Sequence, residues 1–119
     1  MKSEKSNEML KIAYNALDEK KAIGTKAIDI SEISLLADYF LITSGSNPNQ
    51  VHALCDNVSD KMSKAGLSAK KTEGYNNANW ILMDYGDVII HIFDKENRSF
   101  YNLERLWADG KEVEISVLE

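Results

Sequence analysis

The 119-residue sequence contains few of the residues that build disulfides, metal sites or membrane spans. It has one cysteine, two histidines and no apolar run of the roughly 18 residues that cross a bilayer. One cysteine excludes an internal disulfide, and one thiol with two imidazoles excludes a zinc site made of cysteine and histidine ligands. Residues 1–8 are too polar for a secretory signal. We therefore expect a cytoplasmic protein that does not enter the membrane.

Basic charge is also in short supply. The chain carries 14 Lys+Arg against 19 Asp+Glu, a net charge of −5, which argues against a DNA or RNA binder that neutralises phosphates. The acids are concentrated in residues 72–119, which carry ten acidic and four basic side chains. Residues 1–71 carry nine acidic and ten basic side chains. Two interpretations remain open: a solvated acidic surface, or an acidic face that steers encounter with a basic partner.

Apolar spacing predicts a succession of helices and strands. Helices are expected where apolar residues recur every three or four positions, and strands where short apolar runs lie between turn residues. Asn47 followed by Pro48 is a typical helix start. The predicted elements are helix 4–21, strands 25–30 and 39–43, a helix from Asn47 to Gly66, strand 67–72, strands 80–85 and 88–93, and helix 95–107. The alternating residues 113–117 form either a last strand or a loosely held tail.

The two strands around Gly86-Asp87 form the clearest hairpin. A two-residue loop pairs position 85 with 88, 83 with 90 and 81 with 92. One face then carries the residues expected in the core: Ile81, Met83, Tyr85, Val88, Ile90 and Ile92. The other face mixes aromatics with an acid and an imidazole: Trp80, Leu82, Asp84, Ile89, His91 and Phe93. That second face lies either under a helix or against another molecule.

The order of elements predicts an α/β domain with a mixed β-sheet of about five strands flanked by helices. A strand–helix–strand step favours parallel strands, and a tight hairpin requires antiparallel ones. The length suits one domain over residues 1–119.

No motif in the sequence makes a strong case for catalysis. Asp84 and Asp87 bracket a turn, where aspartate is common for backbone reasons, and Cys55 lies within the apolar stripe of a predicted helix. Gly45-Ser46 after a strand is similar to the triphosphate-holding pair of nucleotidyltransferases. The next predicted strand, 67–72, lacks the carboxylate pair that such enzymes use to hold two metal ions.

Several blocks of the chain resemble the ribosomal silencing factor (Iojap) family. They are residues 38–46 (DYFLITSGS), Glu73-Gly74, residues 80–93 (WILMDYGDVIIHIF), and Arg98 with residues 100–107 (FYNLERLW). The resemblance covers about residues 5–108, which leaves 109–119 as a variable tail. It implies a fold related to nucleotidyltransferases but without their catalytic carboxylates.

The resemblance also implies a non-enzymatic function without a cofactor or metal. Family members dock on the fourteenth protein of the large ribosomal subunit, block joining of the small subunit sterically, and lower translation when nutrients are short; organellar relatives take part in large-subunit assembly. We expect the large subunit as partner, and leave a homodimer open. The residues predicted to contact the partner are Trp80, Asp84, His91, Tyr101, Glu104, Arg105 and Trp107. The alternative is a nucleotidyltransferase-like nucleotide-binding enzyme that uses Gly45, Ser46 and Asp84.

Overall fold

A computed structural model describes residues 4–96, 110–114 and 118. Within these residues the elements are α1 (Glu4–Glu19), β1 (Ile23–Asp29), β2 (Tyr39–Gly45), α2 (Pro48–Lys64), β3 (Lys71–Glu73), β4 (Trp80–Asp84), β5 (Val88–Asp94) and β6 (Lys111–Val113). The six strands form one sheet in the order β3-β4-β5-β2-β1-β6. Only β2 and β5 are parallel neighbours, so the sheet is mixed and the predicted α/β class is confirmed.

Two elements differ from the prediction at the edges of the sheet. The strand predicted at 67–72 is displaced to Lys71–Glu73, where all three residues are exposed and no apolar period marks the boundary. Residues 111–113 pair with β1 as a sixth strand, so this part of the predicted tail is held by the sheet. The predicted helix 95–107 lies outside the described residues except for Lys95 and Glu96, which are helical.

Helix α2 begins as its sequence predicts. The Asn47 side chain accepts a hydrogen bond from the Gln50 amide at 2.8 Å, and Pro48 occupies the first turn. The hydrogen bond to Asn47 satisfies one amide that has no partner within the helix. Pro48 has no amide hydrogen and so leaves none unsatisfied at its position. Its apolar stripe is buried, and it consists of Val51, Leu54, Cys55, Val58 and Met62.

Both helices pack on one face of the sheet. The larger core joins their apolar stripes to alternate residues of the central strands, including Leu41, Ile90 and Ile92. A smaller core lies on the opposite face, and its buried members are Ile28, Ile30, Ala37, Phe40, Ile42 and Phe93. Because β2 is buried along its whole length, it separates two cores. Neither described helix is long and apolar enough to cross a membrane.

The predicted hairpin has the predicted register. Trp80 pairs with Phe93, Leu82 with His91, and Asp84 with Ile89, and all six residues assigned to the core face are buried. Gly86 supplies the positive φ of 88° that the turn requires. The Asp84 carboxylate accepts a hydrogen bond from the Gly86 amide at 2.8 Å, so this aspartate has a structural role in the turn.

The loop between β3 and β4 closely approaches both β4 and α2. Gly74 has φ +80°, and a Cβ atom there would lie 2.1 Å from the Trp80 carbonyl oxygen. His52 of α2 donates through Nε2 to the Tyr75 carbonyl at 2.6 Å, and the Tyr75 hydroxyl donates to Asp56 at 2.9 Å. These two hydrogen bonds hold the start of the loop against α2.

Gly74 and Gly66 provide a matched test of this close approach. Gly66 also has a positive φ, +81°, but a Cβ atom there meets nothing within 4 Å. Gly66→Ala should lower the free energy of unfolding by about 1–2 kcal/mol, through the left-handed backbone alone. Gly74→Ala should cost roughly 1–3 kcal/mol more, because the Trp80 carbonyl must move. Urea unfolding of both variants measures the difference; equal losses would contradict the steric account.

Candidate interaction surface

The second face of the hairpin carries an aromatic cluster. Trp80 is half-buried and stacks on the buried Phe93, with ring centroids 5.2 Å apart and planes 26° apart. Phe40 of β2 meets the His91 ring edge-on at 4.9 Å and 70°. We call Phe40, Trp80, His91 and Phe93 the aromatic cluster. Trp80 is its partly exposed member: Phe93 stacks on the indole, His91 accepts a hydrogen bond from it, and Phe40 packs against His91.

A hydrogen bond fixes the tautomer of His91. The indole nitrogen of Trp80 can only donate, and it donates to Nδ1 of His91 at 3.0 Å. The proton of the neutral imidazole is therefore on Nε2. That buried atom has no hydrogen-bond partner among the described residues. Burial lowers the pKa of His91 from 6.5 to about 4, so the ring is neutral near pH 7.

The structure brings two of the predicted partner residues together and separates a third. Trp80 and His91 are in direct contact, but His91 is buried and offers almost no surface. Asp84 lies four residues along β4, about 13 Å away by the rise of a strand. The other four predicted residues, Tyr101, Glu104, Arg105 and Trp107, lie outside the described residues. Phe40 was missed by sequence reasoning because the parallel pairing of β2 with β5 places it there.

The strand ends do not assemble the residues of the nucleotidyltransferase alternative. Gly45 and Asp94 are paired where β2 and β5 end. Asp84 lies at the opposite end of the strands, because β4 runs antiparallel to β5. Gly45 packs tightly against α2: a Cβ there would lie 3.0 Å from the Val51 side chain and from its amide nitrogen. The amide and hydroxyl of Ser46 both donate to Gln50 Oε1, at 2.6 and 2.8 Å.

A cavity of about 290 Å³ lies beside this strand end, and its charge is wrong for a triphosphate. It is lined by Ser46, Asn47, Pro48, Asp94, Lys95 and Glu96. Two carboxylates against one lysine would repel phosphate oxygens. Among residues 4–96, 110–114 and 118, no three His, Cys, Asp or Glu side chains are grouped as metal ligands.

Cys55 is a structural thiol, as its place in the apolar stripe predicts. The side chain is buried on the sheet side of α2, and burial raises its pKa to about 11. A thiol with that pKa is almost wholly protonated near neutral pH and is a poor nucleophile.

Comparison with known proteins gives a family for this arrangement. The family described as "Ribosomal silencing factor during starvation" matches residues 3–119. The chain belongs to the ribosomal silencing factor family. It is 48% identical over 102 residues to the ribosomal silencing factor of Bacillus subtilis, and the aligned region covers 86% of each chain. It is 30% identical over 103 residues to the chloroplastic protein Iojap of Zea mays, and the aligned region covers 84% of this chain and 43% of the maize protein.

A solved structure supports the family fold. The crystal structure of a Bacillus halodurans protein superposes with a TM-score of 0.81 at 42% sequence identity, covering 90% of this chain and 97% of that one. The family resemblance and the predicted fold class are thus confirmed. The family match extends to residue 119 and so includes the segment that forms β6. Membership in the ribosomal silencing factor family implies ribosome binding and regulation of translation.

The buried neutral His91 predicts an acid-sensitive fold. The unfolded chain binds a proton at His91 below pH 6.5, whereas the folded chain does so only near pH 4. Stability should therefore fall as the pH falls through this window, by about 2 kcal/mol between pH 7.5 and pH 5. His91→Gln has no proton to take up at this position, so its unfolding free energy should change less over the same interval. Denaturant unfolding of the two proteins at several pH values isolates the effect; identical pH slopes would contradict it.

Proposed function

We propose that this family member binds the large ribosomal subunit through the subunit's fourteenth protein and sterically blocks joining of the small subunit. In this proposal the protein represses translation under nutrient limitation, and it acts in the cytoplasm without catalysis or a cofactor. The family membership supports the ribosomal partner. The observation that carries the docking surface is the half-buried Trp80 indole, which the aromatic cluster holds in one orientation.

The geometry of Trp80 is suited to an interface anchor. A tryptophan on a rigid support loses little side-chain entropy when a partner covers it, and large aromatics dominate the energetics of interfaces. His91 then serves as a positioning residue, since its Nδ1 accepts from the indole while its own ring is buried. We further propose that Asp84, Tyr101, Glu104, Arg105 and Trp107 contribute to the same interface, on the strength of the sequence pattern. A role in large-subunit assembly and a homodimer belong to the same set of proposals.

The proposed function predicts selective binding to one ribosomal species. If the protein occupies the surface that the small subunit covers, it should co-sediment with isolated large subunits and not with intact ribosomes. Large subunits that receive the protein first and small subunits second should then form fewer intact ribosomes than large subunits that receive small subunits first. Sucrose-gradient sedimentation at low and high magnesium makes both measurements. Equal recovery with large subunits and intact ribosomes would overturn the steric mechanism.

Trp80→Ala tests the anchor directly. Removing the indole should weaken binding to large subunits by about 2 kcal/mol or more, which is roughly 30-fold or more. The matched control is Tyr75→Ala, because Tyr75 is an exposed aromatic in the preceding loop that contacts α2 through Asp56 and His52. The control should lose little or no affinity. Both variants need a melting curve, since Trp80 also packs on Phe93. A folded Trp80→Ala protein with undiminished affinity would remove Trp80 from the interface.

A further inference from the structure

The loop between β1 and β2 exposes three large aliphatic side chains, and no step of the proposed docking through Trp80 uses them. Leu35 is fully exposed, and Leu36 and Ile33 are 76% and 45% exposed. We call residues 31–37 the Leu35 loop. Single exposed aliphatics are ordinary on a protein surface. Here two adjacent leucines and a nearby isoleucine share one seven-residue loop.

Hydrogen bonds hold the Leu35 loop in one conformation. Both the amide and the hydroxyl of Ser31 donate to Asp29 Oδ1, at 3.0 and 2.7 Å. The Ile30 carbonyl accepts the amides of residues 33 and 34, and the Leu36 amide donates to the Ser34 hydroxyl at 3.0 Å. At the two ends, Ile30 and Ala37 are buried in the smaller core. The exposed leucines are thus presented by an ordered backbone, which lowers the entropy lost on binding.

The loop adjoins the turn of the β4–β5 hairpin. The amides of Asp38 and Tyr39 both donate to the Asp87 carbonyl, at 2.8 and 3.1 Å, and the Ser6 hydroxyl of α1 donates to Asp38 Oδ2 at 2.6 Å. The Leu35 loop and Asp84 therefore lie at the same end of the sheet. Asp84 is part of the proposed interface, so the loop is continuous with that interface.

The charge around the loop is acidic. Five carboxylates lie on the loop, at its flanks or at the hairpin turn: Asp29, Glu32, Asp38, Asp84 and Asp87. Three lysines lie at the same end of the sheet: Lys111 pairs with Glu32, Lys71 pairs with Glu73, and Lys70 lies against the hairpin turn at Gly86. An acidic rim around apolar side chains is complementary to a basic protein surface with an apolar recess. Two copies of the loop would bring like charges together, and an anionic bilayer would be repelled.

We propose that the Leu35 loop is a second docking element that inserts Leu35 and Leu36 into an apolar recess on a basic protein surface. The inference rests on the proposed function, which makes that surface part of the large ribosomal subunit. The leucines supply the apolar contact and the carboxylates favour the basic surroundings. Trp80 and the Leu35 loop then contact the subunit from the two ends of the same pair of strands.

The test uses the full chain and purified large ribosomal subunits as the probe. The double variant Leu35→Ser/Leu36→Ser should bind at least tenfold more weakly than the unaltered protein, with an unchanged melting temperature. The matched control is Ile23→Ser, which removes a 40%-exposed aliphatic side chain at the opposite end of β1. The control should keep its affinity. A folded double variant that binds as tightly as the control overturns the inference.

A second pair of variants tests the charge. Glu32→Lys should weaken binding at least threefold, whereas Asp60→Lys on α2 should not; each change removes one exposed ion pair, with Lys111 and Lys64 respectively. Equal affinities of these two variants for large subunits would overturn the inference that the partner surface is basic. Self-association in sedimentation that the leucine substitutions abolish, or leucine-dependent binding to anionic vesicles, also overturns it. If the unaltered protein does not bind large subunits at all, the proposed function fails first, which distinguishes the two failures.

Discussion

The parallel pairing of β2 with β5 is the contact on which the rest of the structure depends. It runs from Tyr39 opposite Val88 to Gly45 opposite Asp94, and it joins the two halves of the chain through the centre of the sheet. Because side chains alternate along a strand, this register sends Leu41 and Ile90 towards the helices and Phe40 towards the opposite face. A slip of one residue would turn each β2 side chain to the opposite face, which would move Phe40 into the larger core and Leu41 into the smaller one.

The same pairing assembles the aromatic cluster. The hairpin alone places Trp80, His91 and Phe93 on one face, because β4 and β5 are neighbours in sequence and in space. Phe40 comes from a segment about fifty residues earlier, and it meets His91 only because β5 also pairs with β2. The half-buried indole is therefore held by contacts from both halves of the chain. A surface built in this way requires β2, β4 and β5 together.

Local features were predictable from the sequence, and long-range ones were not. The cap at Asn47 and the hairpin register follow from residues a few positions apart, so propensity and turn chemistry decide them. β3 and β6 are three-residue edge strands with mostly exposed side chains, and no periodic pattern marks them. For the candidate site, the sequence indicated the mixed face of the hairpin. It did not indicate that Trp80 donates to His91, because side-chain packing decides that contact.

Two contacts at opposite ends of one rigid strand pair constrain a partner more than either does alone. Trp80 begins β4, and the residues that directly follow the Leu35 loop are hydrogen-bonded to Asp87 in the turn beyond the other end of β4. The two elements therefore lie towards opposite ends of a strand that is about 13 Å long. A single anchor leaves the bound domain free to rotate about it, whereas two anchors on a stiff support restrict that rotation. Steric exclusion requires a restricted orientation, because a domain of this size blocks a much larger subunit only where it is held in its path. In the proposed function, the hairpin is thus the element that would turn affinity for the large subunit into a block on subunit joining.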